Sequence, residues 1–236
     1  MDGEGRGRRT PDGRPAGAAG FDDAFWQQVY GRPETMDGLV NARAHAACIA
    51  SAFEVALQPL DSVIDLGFGL GHMLQAVLEA VRPRRAFGIE PSPSAFASVQ
   101  GRRLAPAETR LSLERLDLVG WCRRPTHPRH EVDLGVCASV LQYLEDEEVV
   151  EVVPVLAQRL RWLYLTVPTD AEYLQQAEDE HFVDPWAIHR PRAFYVDLLR
   201  PWFDVVGTRL LESRVRVERW QSPFTDDLYR GWPDGV

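Results

Sequence analysis

Cysteine is scarce in this chain. Cys48, Cys122 and Cys137 are isolated and odd in number, which argues against a disulfide framework and for a reducing, cytoplasmic setting. No Cys/His grouping has metal-ligand spacing, so no metal is expected. No apolar run approaches the roughly 20 residues that a membrane span requires. The first residues lack the apolar core of a secretion signal. Basic charge is also short: 26 Lys and Arg stand against 35 Asp and Glu, a net charge of −9. A nucleic-acid partner, normally met by a basic face, is therefore not expected. Residues 1–20 hold almost no large apolar side chain. They cannot bury enough surface to offset the entropy of ordering, and are expected to be a disordered tail.

The remaining length suits one sizeable core, so residues 21–236 are read as a single domain. Short apolar runs alternate with helical periodicity. Phe25, Trp26 and Tyr30 share a helical spacing that Gly31-Arg32-Pro33 ends. A second helix is expected over 37–57, with Leu39, Ala42, Ala46, Ile49, Phe53 and Ala56 in steps of three and four. Strands are expected at 62–66, 86–89, 111–117, 132–138 and 162–167. Helices between them are marked by Met73, Leu74, Val77, Leu78 and Val81, by the Ser92-Pro93 start signal, and by 145–160. This alternation predicts an α/β fold, a doubly wound and mostly parallel sheet with helices on both faces. Past 167 the pattern changes. A polar, acidic insert spans 169–190, a helix 192–199, and two closing strands 203–211 and 214–220.

The segment Asp65-Leu66-Gly67-Phe68-Gly69-Leu70-Gly71 carries the chemistry. A buried strand runs into three glycines at alternate positions, and a helix follows. Glycine allows positive φ and close approach of the backbone to a ligand. The unpaired N–H groups of the helix start face that ligand. A second apolar run ends in Glu90, the position from which a carboxylate meets ribose hydroxyls. The glycine spacing is G-x-G-x-G, not the dinucleotide G-x-G-x-x-G.

This combination resembles the class I S-adenosylmethionine-dependent methyltransferases: Asp65-x-Gly67-x-Gly69-x-Gly71 is similar to their first motif and Glu90 to their second. The resemblance covers roughly residues 21–212. It implies a seven-stranded sheet with an antiparallel strand near its C-terminal edge, S-adenosylmethionine as cofactor and a small-molecule methyl acceptor. It implies that Gly67, Gly69 and Gly71 pass beneath the methionine part, with Asp65 orienting the turn or meeting the amino group through water. Phe68 narrows this end of the pocket. Glu90 takes the ribose hydroxyls and Pro91 packs on the adenine. Asp117 either meets the adenine amino group or caps its loop, with Leu118 against the ring. Ala138 begins the loop under the transferable methyl. Tyr30 is a candidate for closing over the cofactor.

On the acceptor side the resemblance points to Gln142 and Tyr143, to Trp186 in the 169–190 insert, and to Trp26 in a helical cover over 21–60. An oxygen or protonated nitrogen acceptor must lose a proton, and His181 or His189 in the insert is the expected base. Two other readings stay open: a nicotinamide-dependent oxidoreductase, against which the glycine spacing counts, and a non-catalytic partner subunit of the same fold. The acceptor's identity and the oligomeric state are not legible.

Overall fold

The computed structural model describes residues 39–125, 131–179, 184, 186–224 and 230–232. The expected tail and the aromatic helix with Trp26 and Tyr30 lie outside the described residues, as does His181. The elements run α1 (Leu39–Val55), β1 (Ser62–Leu66), α2 (His72–Val81), β2 (Arg85–Ile89), α3 (Pro93–Val99), β3 (Arg110–Glu114) and α4 (Leu118–Arg123). Then follow β4 (Val132–Ala138), α5 (Asp146–Arg159), β5 (Leu160–Thr166), α6 (Asp170–Asp179), α7 (Arg192–Leu199), β6 (Phe203–Gly207) and β7 (Leu210–Ser213).

The seven strands are ordered β3-β2-β1-β4-β5-β7-β6. Neighbours from β3 to β5 are parallel, whereas β7 is antiparallel to both β5 and β6. The reversal after β1 toward β4 is a topological switch point, and crevices form there beyond the C-terminal strand ends. Strand pleating sends alternate side chains to opposite faces, and two apolar layers result. Val63, Trp162 and Tyr164 face one layer with α1 and α2. Ile64, Leu66, Leu163 and Leu165 face the other with α4, α5 and α7.

Local chemistry accounts for several boundaries. Ser92 Oγ accepts the Ala95 N–H at 3.3 Å, and Pro93 opens α3, as its sequence signal predicts. Glu145 and Glu148 form a reciprocal capping box at the start of α5. The expected closing strands are corrected: both lie within 203–213, joined by a turn at Thr208-Arg209. The Ser213 hydroxyl accepts the N–H groups of Val215 and Arg216 at 3.1 and 3.0 Å, which curls the chain and ends β7. The expected strand over 214–220 therefore does not form. The insert over 169–190 carries α6, and the stretch between β3 and β4 carries α4. No described helix is long and apolar enough to cross a membrane.

Candidate active site

β1 ends in Leu66 and the chain turns at once through the glycines. Gly67, Gly69 and Gly71 all have positive φ, at 128°, 51° and 79°. At Gly67 the constraint is double, because a Cβ there would lie 2.6 Å from Val140 Cγ2. The Phe68 N–H donates to the Ile89 carbonyl at 3.2 Å and the Gly71 N–H to the Phe68 carbonyl at 2.7 Å. The turn is thus fastened to the end of β2 before α2 begins.

Glu90 fastens it a second time. Its carboxylate accepts the Gly69 N–H at 2.9 Å and the Ser92 N–H at 2.8 Å. It is only 4% exposed, and burial pushes its pKa above the usual carboxylate range despite those two bonds. Asp65 lies beneath the same turn, 2% exposed. Desolvation, with the Glu90 charge adding to it, pushes Asp65 up to about 8. Its Oδ2 is buried without a hydrogen-bond partner. An uncompensated buried carboxylate is costly unless a cation or donor meets it, so this atom marks a place for a cationic group.

Among the described residues, two crevices open beyond the strand ends. The narrow one, about 80 Å³, has walls from Asp65, Gly67, Phe68, Gly69 and Ala138, with His72 and Met73 from α2. A water occupies about 30 Å³ of liquid, so this space takes a small polar fragment. The wide one, about 560 Å³, runs between Ser139, Pro168 and α6, which contributes Glu172, Gln175 and Asp179. The two share His45 and Thr166. Five of the predicted cofactor residues therefore meet in one crevice: Asp65, Gly67, Phe68, Gly69 and Ala138.

The other predicted residues among those described line neither crevice. Gly71 is the N-cap of α2. Pro91 precedes the Ser92 cap of α3. Asp117 caps α4, its Oδ1 accepting the Gly120 N–H at 2.6 Å, and Leu118 is buried in the apolar layer beneath that helix. The capping alternative for Asp117 is the one the geometry displays. Gln142 is buried, and its backbone carbonyl accepts the Ile188 N–H at 2.8 Å. Tyr143 donates its hydroxyl to Asp184 Oδ2 at 2.6 Å, and Asp184 Oδ1 accepts the backbone N–H of buried Trp186 at 3.0 Å. These three tie the segment after β4 to the segment before α7. His189 is exposed, with its ring stacked on Tyr173 at 4.1 Å, and lines neither crevice.

Sequence reasoning missed His45, Tyr164 and Arg209. His45 Nδ1 is 2.6 Å from the Tyr164 hydroxyl. Arg209 Nη1 lies 3.2 and 3.3 Å from Nδ1 and Nε2 of the same ring. A signal was available: His45 falls in step with Ala42 and Ile49 on the apolar stripe of α1, where a histidine calls for a reason.

No family model matches the chain, and no curated protein matches its sequence. Solved structures do match. The plantazolicin methyltransferase BpumL in complex with SAH superposes with a TM-score of 0.60 at 12% identity, over 77% of this chain and 70% of that one. Magnesium protoporphyrin IX methyltransferase (ChlM) from Synechocystis PCC 6803 with bound SAH gives 0.54 at 15%, over 82% and 95%. The methyltransferase domain of bacterial-CtHen1-C gives 0.53 at 18%, over 69% and 85%. The chain has the fold of the S-adenosylmethionine-dependent methyltransferases.

Proposed function

We propose that this chain is an S-adenosylmethionine-dependent methyltransferase that acts on an oxygen or nitrogen of a small-molecule metabolite. The observation that carries the reading is Asp65 Oδ2, a buried carboxylate oxygen without a partner in the crevice of the glycine turn. An α-ammonium, directly or through a water, is the complement that this site lacks. The size of the narrow crevice suits the amino-acid end of the cofactor and not a whole nucleoside, which extends outward over the strand ends. When bound, the cofactor supplies an electrophilic methyl group on a sulfonium.

What the chain itself contributes is binding and alignment. The glycine turn offers backbone at close range, and Asp65 orients the amino-acid end. Glu90 holds the Gly69 N–H, which fixes the floor on which the ribose rests. A carboxylate has about four lone-pair sites, and two of those on Glu90 stay available to ribose hydroxyls. The wide crevice lies in the size range of small-molecule sites, and its walls mix polar residues of α6 with apolar Leu165, Val167 and Leu211, which supports a small acceptor with both kinds of surface. Its wall at Ser139, next to Ala138 of the narrow crevice, supports an acceptor site beside the cofactor.

Calorimetry with S-adenosylhomocysteine and with NADH tests the proposal. One-to-one binding of the first and silence with the second is the expected pair of results. Binding of NADH alone would move the chain to the oxidoreductases, and binding of neither would favour a non-catalytic partner role.

A further inference from the structure

The core layer beneath α4 is not filled. A third cavity, about 190 Å³, lies between that helix and the sheet. Its floor is one face of three parallel strands: Ile64 of β1, Phe87 and Ile89 of β2, and Ser112 and Glu114 of β3. Phe87 pairs with Ser112 and Ile89 with Glu114, so these side chains share a face of the sheet. Trp121 of α4 and Arg159, the last residue of α5, supply walls. Exposure separates the inside from the rim. Trp121 and Arg159 are buried, whereas Ser112, Glu114 and Arg124 are exposed. No residue that lines this cavity lines either of the two crevices.

Arg159 sets the chemistry of the cavity. It is only 2% exposed, yet its hydrogen bonds go to backbone carbonyls and not to a carboxylate. Nη1 donates to the Trp121 carbonyl at 2.6 Å, and Nη2 to those of Cys122, at 3.0 Å, and Arg124. These bonds close the C-terminal end of α4, where carbonyls lack helical partners. Nε is buried without a partner. The guanidinium carbon stands 4.7 Å from the centre of the Trp121 ring, an attraction that cancels no charge. Burial holds the Arg159 pKa below the ordinary arginine value, as it does for a cation short of compensation. The one acid on the wall, Glu114, is taken at the rim by both Nη atoms of Arg124, at 2.7 and 2.6 Å. Two arginines against one glutamate leave the cavity with an uncancelled positive charge.

A buried cation with an N–H to spare calls for an anion. The apolar floor and the Trp121 ring decide what body that anion has. At the share each water takes in the liquid, the cavity equals about six waters. That is room for a carboxylate on a single ring and not for a nucleotide. We propose that this cavity is a second binding site, separate from the cofactor crevice, for a small aromatic carboxylate. The carboxylate meets Nε of Arg159, and the ring lies between Trp121 and the strand face of Phe87 and Ile89. The site stands apart from the methyltransferase reading, because it shares no wall with either crevice.

Benzoate and its neutral counterpart benzamide are the probes. Each is titrated by calorimetry into the full chain, with and without S-adenosylhomocysteine. The wild type is expected to bind benzoate one-to-one and about tenfold or more tighter than benzamide, the scale of one hydrogen bond to a charged group. S-adenosylhomocysteine should leave both affinities unchanged. Arg159→Met should remove the preference for the acid. That variant also uncaps α4, so Ser112→Phe is the second one. Ser112 lies on the exposed rim, outside the bonds that hold α4, and a phenyl ring there fills the mouth of the cavity. It should abolish binding of both probes in a chain that still unfolds cooperatively.

Absence of saturable benzoate binding, equal affinity for the two probes, or binding that survives Ser112→Phe would overturn the site. So would competition between benzoate and S-adenosylhomocysteine, because that result places the probe in the cofactor crevice. Failure of S-adenosylhomocysteine itself to bind is a different result. It removes the methyltransferase reading and leaves the benzoate comparison to decide this site.

Discussion

Asp65 and Glu90 are two buried carboxylates on adjacent strand ends, and they are handled differently. Each oxygen of Glu90 accepts one backbone N–H, whereas one oxygen of Asp65 has no partner. The folded pKa of Asp65, about 8, is raised above the ordinary value of 3.8. The folded state therefore binds this proton more tightly than the unfolded chain does. The associated stability is fully present below about pH 4 and is lost as pH rises through 8. Asp65→Asn removes that dependence. The variant should melt higher than wild type at pH 8 and match it more closely at pH 5, as seen in thermal unfolding at the two pH values. The same change should weaken S-adenosylhomocysteine binding by about tenfold or more. A variant that melts lower at pH 8 would show that Asp65 is already satisfied within the fold.

At the scale of elements, the closing hairpin depends on a charge cluster. Arg230 donates to Glu212 at 2.6 Å and to Asp204 at 3.2 Å, and Glu212 also accepts the Trp162 indole N–H at 3.0 Å. The Arg230 and Glu212 side chains are 6% and 2% exposed. Removing one partner of such a pair leaves an uncompensated buried charge, at a cost of about 3–5 kcal/mol. Arg230→Met should lower unfolding stability by about that amount in a urea titration, and Glu212→Gln in the same chain should restore part of it. A loss under about 1 kcal/mol would mean that water reaches Glu212.

Elements also differ in how far the sequence revealed them. β1, β4 and β5 are nearly continuous apolar runs buried on both faces, so their positions follow from composition. The hairpin was misread because Thr208-Arg209 carries no glycine or proline signal of its own. There an arginine adopts the left-handed conformation that a reader assigns to glycine. α6 was overlooked although its start signal is present. Thr169 and Glu172 form reciprocal bonds, with the Thr169 N–H to Glu172 at 2.7 Å and the Glu172 N–H to the Thr169 hydroxyl at 3.4 Å. α4 was missed because its two turns are too short for a period to emerge. Its cap, Asp117, left a loop cap and a ligand contact equally open in the sequence.

For the molecule as a whole, the glycine turn was legible and the wide crevice was not. The glycine turn is local: strand, turn and helix start lie within a dozen consecutive residues, and spacing alone identifies them. The wide crevice is assembled from α1, β5, α6 and the β6–β7 turn, which are distant in sequence. His45 and Arg209 are 164 positions apart, and only the sheet order brings them together. The same distance explains why His189 looked suitable from its place in the chain and yet stands outside both crevices.

The central claim is that an amino-acid ammonium completes the Asp65 site, and proton release on binding measures it most directly. With a pKa of about 8, Asp65 is largely protonated at pH 7 in the free protein and must ionise to meet a cation. Calorimetric titration of S-adenosylhomocysteine at pH 7, in buffers of different ionisation enthalpy, should show release of close to one proton. The release should shrink by pH 9 and vanish in Asp65→Asn. Tight binding by the wild type without any proton release at pH 7 would contradict the account.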